Sequence, residues 1–302
     1  MDGRGWRAIF TGADGTIRSG WRLLLFVVLF AVFLLVGALF VGPVTVSPAG
    51  LFRQGVVLLA AALGAGSILI ARADRRPPGA LGFAWTRHVP WEIGIGLAIG
   101  GGSMALLVGL LLLTGGVVYT AEGGTVADWT VIVARDLAIF GVAAAAEEAV
   151  FRGYPFQVLV QAIGPVAATL LGSGAFAVAH AANPNVNAFA LLNIFLAGVL
   201  LSAAYLRTRS LWFATAVHTG WNWSMASLFD LPVSGLEVFD TPLYEPVLAS
   251  PDWVGGGAFG PEGGLIGAAG FGLAVLAVLK APGLDEAPEL REKRPLVDSV
   301  LD

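Results

Sequence analysis

The chain has 302 residues, of which 57% are hydrophobic and only 13% are charged, and its mean hydropathy is +0.80. In soluble domains about a quarter of the residues are charged, so most of this chain is predicted to lie in lipid. The net charge of −4 with dispersed Lys and Arg gives no footprint for nucleic acid, and the absence of cysteine excludes disulfides, thiolate catalysis and Cys-ligated zinc.

Long apolar stretches predict an all-α, polytopic membrane bundle of about eight transmembrane helices. The first stretch is too long for the apolar region of a cleavable signal peptide, so it is predicted to be a retained anchor. The predicted segments are roughly 22–42, 54–72, 92–114, 132–152, 165–181, 188–206, 211–229 and 263–280. The stretch 153–163 either extends the fourth helix or lies along the membrane interface.

Composition divides the chain into three parts. Residues 1–20 form a polar lead-in, residues 21–280 form the membrane bundle, and residues 281–302 form a charged tail that is predicted to be disordered. The part of the bundle that carries functional motifs is about 131–229. The loop 230–262 is rich in Pro, Gly and aromatic residues, which predicts an ordered external cap or hairpin or, alternatively, a flexible loop.

The distribution of Lys and Arg predicts the orientation of the bundle. If the N-terminus is cytoplasmic, alternation of eight spans leaves only Arg53 and Arg135 on the opposite side, while the loop 230–262 carries six acids and no base. Both termini are therefore predicted to be cytoplasmic. The protein is predicted to be an integral, multi-pass membrane protein, located in the plasma membrane if the source is prokaryotic.

A small set of polar residues interrupts the apolar helices. A charged side chain at the centre of a membrane helix costs about 2.5–3.5 kcal/mol, so such residues are rare and usually face the interior of the bundle. Glu148 and Arg152 are four residues apart and can pair on one helical face, whereas Glu147 points about 100° away. The set consists of Glu147, Glu148, Arg152, His180, His218 and Asn222.

Three of the predicted helices each carry one polar face, and these faces can converge. Two imidazoles, a carboxamide and a carboxylate are sufficient for metal-assisted or Glu-assisted hydrolysis of an amide, because zinc favours nitrogen and oxygen ligands when sulfur is absent. The same residues also suit ion or proton transport, or a structural polar network. A serine mechanism would require Ser173 beside His180, and there is no G-x-S-x-G motif.

The motifs EEAVFR at 147–152, FAVAH at 176–180 and HTGWN at 218–222 occur in this order on three hydrophobic helices. In this respect the sequence resembles the CPBP intramembrane proteases, which include the CAAX prenyl proteases and the bacterial bacteriocin-processing and self-immunity proteins. That family is marked by E-E-x-x-x-R, F-x-x-x-H and H-x-x-x-N/D, and each of these patterns is matched here. The resemblance implies a membrane metalloprotease.

Carried over by position, the resemblance implies that Glu147 activates the attacking water and that Arg152 steadies Glu148. His180 and His218 would bind a divalent metal, zinc, or the activated water, and Asn222 would help to hold the metal or stabilise the oxyanion. Phe176 begins the second motif and would have a supporting role. The implied metal ligands are therefore Glu147, His180, His218 and Asn222.

The implied substrate is a membrane-associated peptide or protein, and the site is expected to open toward the cytoplasmic half of the bundle. Glu147 and His180 can meet only if the fourth helix runs past Gly153 and Pro155, or if the fifth helix is short or tilted. The rival functions are a proton- or ion-coupled transporter, which would use the buried Glu, His and Arg as a relay, and a non-enzymatic membrane scaffold or immunity protein.

Overall fold

The computed structural model of the chain describes residues 9–12, 15–42, 45–284, 288–289 and 295–297. It is an all-α polytopic membrane bundle with one two-stranded sheet. The helices are α1 Ser19–Val41, α2 Pro48–Arg72, α3 Val89–Leu113, α4 Val126–Phe151, α5 Tyr154–Ile163, α6 Pro165–Ala179, α7 Ala188–Thr208, α8 Leu211–Trp223, α9 Asp252–Gly255 and α10 Leu265–Lys280. The strands are β1 Val117–Ala121 and β2 Tyr244–Leu248.

All eight segments predicted from hydropathy are found as helices among the described residues. By length and apolar composition, five spans can cross a membrane. They are Ser19–Val41, Pro48–Arg72, Val89–Leu113, Val126–Ile163 (α4 together with α5) and Ala188–Thr208. The apolar helices α6 and α10 are shorter, and α8 continues into a π-helical turn, Ser224–Leu228. The bundle is confirmed, while the number of eight membrane crossings stays a prediction.

The ambiguous stretch 153–163 forms the separate helix α5. Helix α4 ends at Phe151, and Gly153 follows with a non-helical ψ of −133°. A side chain at Gly153 would meet the Ala149 carbonyl oxygen at 2.2 Å, so only glycine fits this break. Pro155 lies in the first turn of α5, where its missing N–H costs no intrahelical hydrogen bond.

The helices α1 and α2 form an antiparallel hairpin. The start of α1 and the end of α2 are bonded to the start of α5. Ser47 caps α2 by accepting a hydrogen bond from the Gly50 amide. Near the start of α1 the buried Arg22 forms an ion pair of 2.6 Å with Asp74 and donates to the Tyr154 hydroxyl at 3.1 Å. The ion pair therefore joins the first turn of α1, the end of α2 and α5.

The helices α3 and α8 pack closely because of two glycines on α3. Gly96 lies against Phe213 and Ala216, and Gly100 lies against Val217 and Trp221. Small residues at these positions allow the two helix backbones to approach each other, as is common in membrane proteins.

The segment 229–264 forms an ordered cap, as one of the two sequence interpretations predicted. Strand β2 pairs antiparallel with β1, with Val117 opposite Leu248 and Ala121 opposite Tyr244. Tyr119 donates a hydrogen bond to the Phe229 carbonyl at 2.7 Å, which ties the sheet to the end of the π-helical turn. The cap is thereby fixed to α8.

The prediction that the tail 281–302 is disordered stays a prediction, and the structure describes only part of this segment. Leu284, Leu296 and Val297 are buried. The Leu296 amide donates a hydrogen bond to the Gln157 side chain on α5 at 2.9 Å. Residues 285–287, 290–294 and 298–302 of the tail, and residues 1–8, 13 and 14 of the lead-in, lie outside the described residues.

The helix ends form two faces of the bundle. The basic face contains the connections 73–88, 152–164 and 209–210, and it is held together by hydrogen bonds such as Leu211 N to the Gly82 carbonyl. The acidic face contains the connections 114–125, 180–187 and 229–264, which are joined by hydrogen bonds such as Asn183 Nδ2 to the Ser234 carbonyl at 2.9 Å. The α1–α2 connection lies on the acidic face because α1 begins at the basic face.

We predict that Gly100→Ala destabilises the protein although alanine is the better helix former. The new Cβ would lie 2.2 Å from the Val217 carbonyl oxygen and 2.6 Å from the Trp221 amide nitrogen, and overpacking of this kind costs about 1–3 kcal/mol. Gly102→Ala is the matched control, since nothing lies within 4 Å of its Cβ position. Thermal unfolding in detergent should show a lower midpoint for Gly100→Ala alone; equal midpoints would contradict the packing.

A second prediction concerns Asp230 in the cap. Burial raises the pKa of the Asp230 carboxyl to about 7, opposed by the hydrogen bond from the Thr241 amide and reinforced by Asp240, Glu245 and Glu122. The unfolded-state pKa is about 3.9, so between about pH 4 and pH 7 the folded state binds this proton more tightly than the unfolded state does. The free energy of unfolding therefore falls as the pH rises from about 4 through 7. Asp230→Asn retains the acceptor for Thr241 and removes this loss. The gain in unfolding midpoint over wild type should be larger at pH 8 than at pH 5, and a gain independent of pH would refute the assignment.

Candidate active site

The three motifs lie on α4, α6 and α8 and meet inside the bundle. The Oε2 atom of Glu147 lies 3.9 Å from Nε2 of His180 and 3.9 Å from Nε2 of His218. The meeting is possible because α6 is only 15 residues long and ends at Ala179, so His180 caps the helix at the depth of Glu147. Of the two arrangements that the sequence allowed, the short helix is the one found.

The two adjacent carboxylates have different surroundings. Glu148 is fully buried, and its Oε1 atom accepts hydrogen bonds from Arg152 Nη1 at 3.1 Å and His218 Nδ1 at 3.0 Å. Glu147 lies about one quarter of a turn away on α4, and its side chain is 29% exposed to a cavity. Its Oε2 atom is buried and has no hydrogen-bond partner among the described residues.

Arg152 is buried, and two acceptors from different helices hold it. Its Nη1 atom contacts Glu148, and its Nη2 atom donates to the Gly198 carbonyl of α7 at 3.1 Å. The guanidinium therefore connects α4 to α7, and through Glu148 to His218 on α8. A buried ion pair of this kind is tolerated only when its remaining donors are also satisfied.

Both imidazoles are oriented by hydrogen bonds at Nδ1. His180 Nδ1 lies 2.8 Å from the Phe176 carbonyl, and His218 Nδ1 lies 3.0 Å from the Glu148 carboxylate. Because a carbonyl or a carboxylate oxygen can only accept, each Nδ1 carries a hydrogen. In the neutral rings the lone pairs are therefore on the Nε2 atoms, which are the atoms closest to Glu147.

Phe176 packs against most of these groups. Its ring lies 4.5 Å from the His180 ring and 6.2 Å from the His218 ring, and the Arg152 guanidinium carbon lies 4.5 Å from its centroid. The Phe151 ring meets it edge-on at 5.1 Å. Phe176 thus fixes the separation of the two imidazoles and shields the guanidinium from the cavity.

A cavity of about 690 Å³ extends from Glu147, His180 and His218 to the acidic face. Asn222, one helical turn beyond His218, also lines it. Ser173, the nucleophile considered for a serine mechanism, does not line this cavity and packs against Gly198 instead. The cavity therefore contains the whole predicted catalytic set, whereas Glu148 and Arg152 lie behind its wall.

The donor set suits a divalent metal. Two Nε2 lone pairs and one carboxylate oxygen without a hydrogen-bond partner among the described residues are ligand atoms of the kinds that zinc binds. The separations of 3.9 Å exceed the roughly 3.4 Å expected between ligand atoms of a tetrahedral zinc. Among the described residues, Asp230, Asp240 and Glu245 form the group of acids and histidines whose ligand atoms all lie within 4.8 Å of one another. This group lies on the acidic face and not at the site of the three motifs.

The sequence analysis missed Glu262, which also lines the cavity. This buried carboxylate accepts a hydrogen bond from Trp221 Nε1 at 3.0 Å, and bonds from the Ser234 amide at 3.0 Å and the Ser234 hydroxyl at 2.6 Å. Glu262 was one of six acids in a loop, and neither a motif nor an apolar helix distinguished it.

Comparison with known proteins was consistent with this site. Residues 127–224 match the model of the family described as "Rce1-like", type II CAAX prenyl endopeptidase Rce1-like. No curated protein and no solved structure showed a significant match to the chain. The matched segment begins at the start of α4, ends just after α8 and contains all three motifs. The match over residues 127–224 supports the resemblance to the CPBP family of membrane endopeptidases that the motifs indicated.

Proposed function

We propose that the protein is an intramembrane, metal-dependent endopeptidase that hydrolyses a peptide bond in a membrane-associated peptide or protein. The observation that carries the proposal is the position of Glu147. Its buried Oε2 atom has no hydrogen-bond partner among the described residues, faces two imidazole Nε2 atoms at 3.9 Å each, and borders a cavity that reaches the acidic face.

In this proposal Glu147 is the general base. Its carboxylate takes a proton from a water molecule, the water oxygen bonds to the peptide carbonyl carbon, and the carbonyl electron pair moves onto its oxygen. The C–N bond then breaks as Glu147 returns the proton to the leaving nitrogen. The Nε2 atoms of His180 and His218 orient the water, and the Asn222 amide donates to the developing oxyanion.

His180, His218, Asn222 and Glu147 would hold a divalent metal, with zinc proposed. When bound, such a metal lowers the pKa of water and polarises a carbonyl oxygen. The chain itself prepares the ligands, because the Phe176 carbonyl and Glu148 fix both Nδ1 atoms and so direct both Nε2 atoms into the cavity.

A peptidase is favoured over a transporter by the shape of the cavity. A relay across the membrane needs polar groups that lead to both faces, whereas no residue that lines this cavity comes from the described connections of the basic face. Behind the site, Arg152 is fully buried among Glu148, Gly198 and Phe176. These groups close the cavity on the side of the basic face.

We predict that Glu147→Gln abolishes peptide cleavage without unfolding the protein. Loss of a general base lowers rates by about 10²–10⁴-fold. Cleavage of a mixed peptide library by detergent-purified protein, followed by mass spectrometry, measures the effect. Glu245→Gln, which replaces an exposed carboxylate of β2, is the control that should retain wild-type cleavage. Cleavage by Glu147→Gln at the wild-type rate would refute the role of Glu147.

A further prediction concerns the metal. The double variant His180→Ala, His218→Ala should lose the divalent metal that copurifies with the wild type, because both Nε2 ligands are gone. Metal per chain, measured by mass spectrometry after extensive dialysis, is the readout. His88→Ala replaces the remaining histidine, at the start of α3, and should retain the metal. Equal metal content in the wild type and the double variant would show that these imidazoles are not ligands.

A further inference from the structure

Most bases of the described chain lie on one face of the bundle, and most of its acids lie on the other. The acidic face carries two cations, Arg53 and Arg135, besides the acids Glu122, Asp128, Asp230, Glu237, Asp240, Glu245, Asp252 and Glu262. The basic face carries the acids Asp74, Glu92 and Glu289 besides the bases Arg18, Arg22, Arg72, Arg75, Arg76, Arg87, Arg207, Arg209 and Lys280. In membrane proteins Lys and Arg near helix ends are retained on the cytoplasmic side. The basic face is therefore the cytoplasmic one.

The cavity leads to the other face. Gly42 and Arg53, from the upper ends of α1 and α2, line it, and so do Asn183, Ser234 and Phe239 from the cap and the loop beneath it. None of the lining residues comes from the connections that form the described part of the basic face. The catalytic set thus lies at the inner end of a passage whose mouth is on the acidic face.

The wall of the passage indicates what it accepts. Phe30, Leu34, Ala38 and Val41 line it along one face of α1. These positions extend over roughly 16 Å of helix, at 1.5 Å per residue. A wall of this length and character matches an extended apolar peptide segment that leads to Glu147.

We propose that the catalytic site is reached from the extracytoplasmic side and that its substrate is an apolar peptide segment presented there, such as the outer end of a membrane protein or an exported peptide. The identity of the substrate rests on the proposed peptidase function, whereas the direction of access rests on the position of the cavity and on the distribution of Lys and Arg. The expectation from sequence that the site opens toward the cytoplasmic half is corrected accordingly. That expectation assumed that Glu147 lies near the cytoplasmic surface, but α5 and the start of α6 lie between it and the basic face.

The chain contains no cysteine, so single cysteines can report access directly. Ala143→Cys places a thiol in the cavity wall, one helical turn from Glu147. Ala249→Cys marks the acidic face, just beyond β2, and Ala281→Cys marks the basic face, just beyond α10. Each variant is expressed in cells and treated with a membrane-impermeant maleimide, either in intact cells or in inverted vesicles, and labelling is read by mass shift.

The proposal predicts that Ala143→Cys and Ala249→Cys are labelled in intact cells, whereas Ala281→Cys is labelled only in inverted vesicles. Labelling of Ala143→Cys only in inverted vesicles would overturn the proposal, as would labelling from neither side. Reversal of Ala249→Cys and Ala281→Cys would overturn the assigned orientation and the proposal with it. Because labelling does not depend on cleavage, a failure of the peptidase function would leave this result unchanged and would be detected separately.

Discussion

The buried guanidinium of Arg152 connects α4, α7 and α8 around the site. It bonds Glu148 on its own helix and the Gly198 carbonyl on α7, while Glu148 also accepts from His218 on α8. In a bundle surrounded by lipid, none of these groups could turn to water if the contact were lost, and removing one partner of a buried ion pair typically costs about 3–5 kcal/mol. The electrostatic requirement of one residue therefore fixes the relative positions of α4, α7 and α8, and with them the orientation of one imidazole.

The difference between the neighbouring carboxylates follows from this arrangement. Glu148 is committed to Arg152 and His218, so it acts on the cavity only through the imidazole that it orients. Each carboxylate has an Oε2 atom with no hydrogen-bond partner among the described residues, but only Glu147, rotated about 100° on the same helix, lines the cavity. Two adjacent glutamates thus divide the work between structural support and chemistry. The aromatic rings of Phe176 and Phe151 separate the pair of Glu148 and Arg152 from the cavity.

Much of this site could be predicted from the sequence, because ionisable residues in apolar helices stand out. The spacing of Glu148 and Arg152, and the separation of Glu147 from both, follow from the period of the helix. The sequence left two ways for His180 to reach Glu147, a longer fourth helix or a short or tilted fifth one. Hydropathy could not decide between them because it does not show where an Ala- and Gly-rich helix ends. Glu262 was not found, since an acid in a loop is ordinary until the fold places it beside Trp221. The buried residues of the tail were missed because three apolar residues in a charged segment give no periodic signal.

The central claim is that Glu147, His180 and His218 surround one bound water molecule or metal ion. An experimental structure of the purified protein, with anomalous diffraction recorded at the zinc absorption edge, tests this claim most directly. The account predicts a density peak within about 2–3 Å of Glu147 Oε2 and of both Nε2 atoms, and an anomalous signal there if the species is zinc. Imidazoles that point away from Glu147, or a site filled by side chains with no bound species between the three residues, would contradict it.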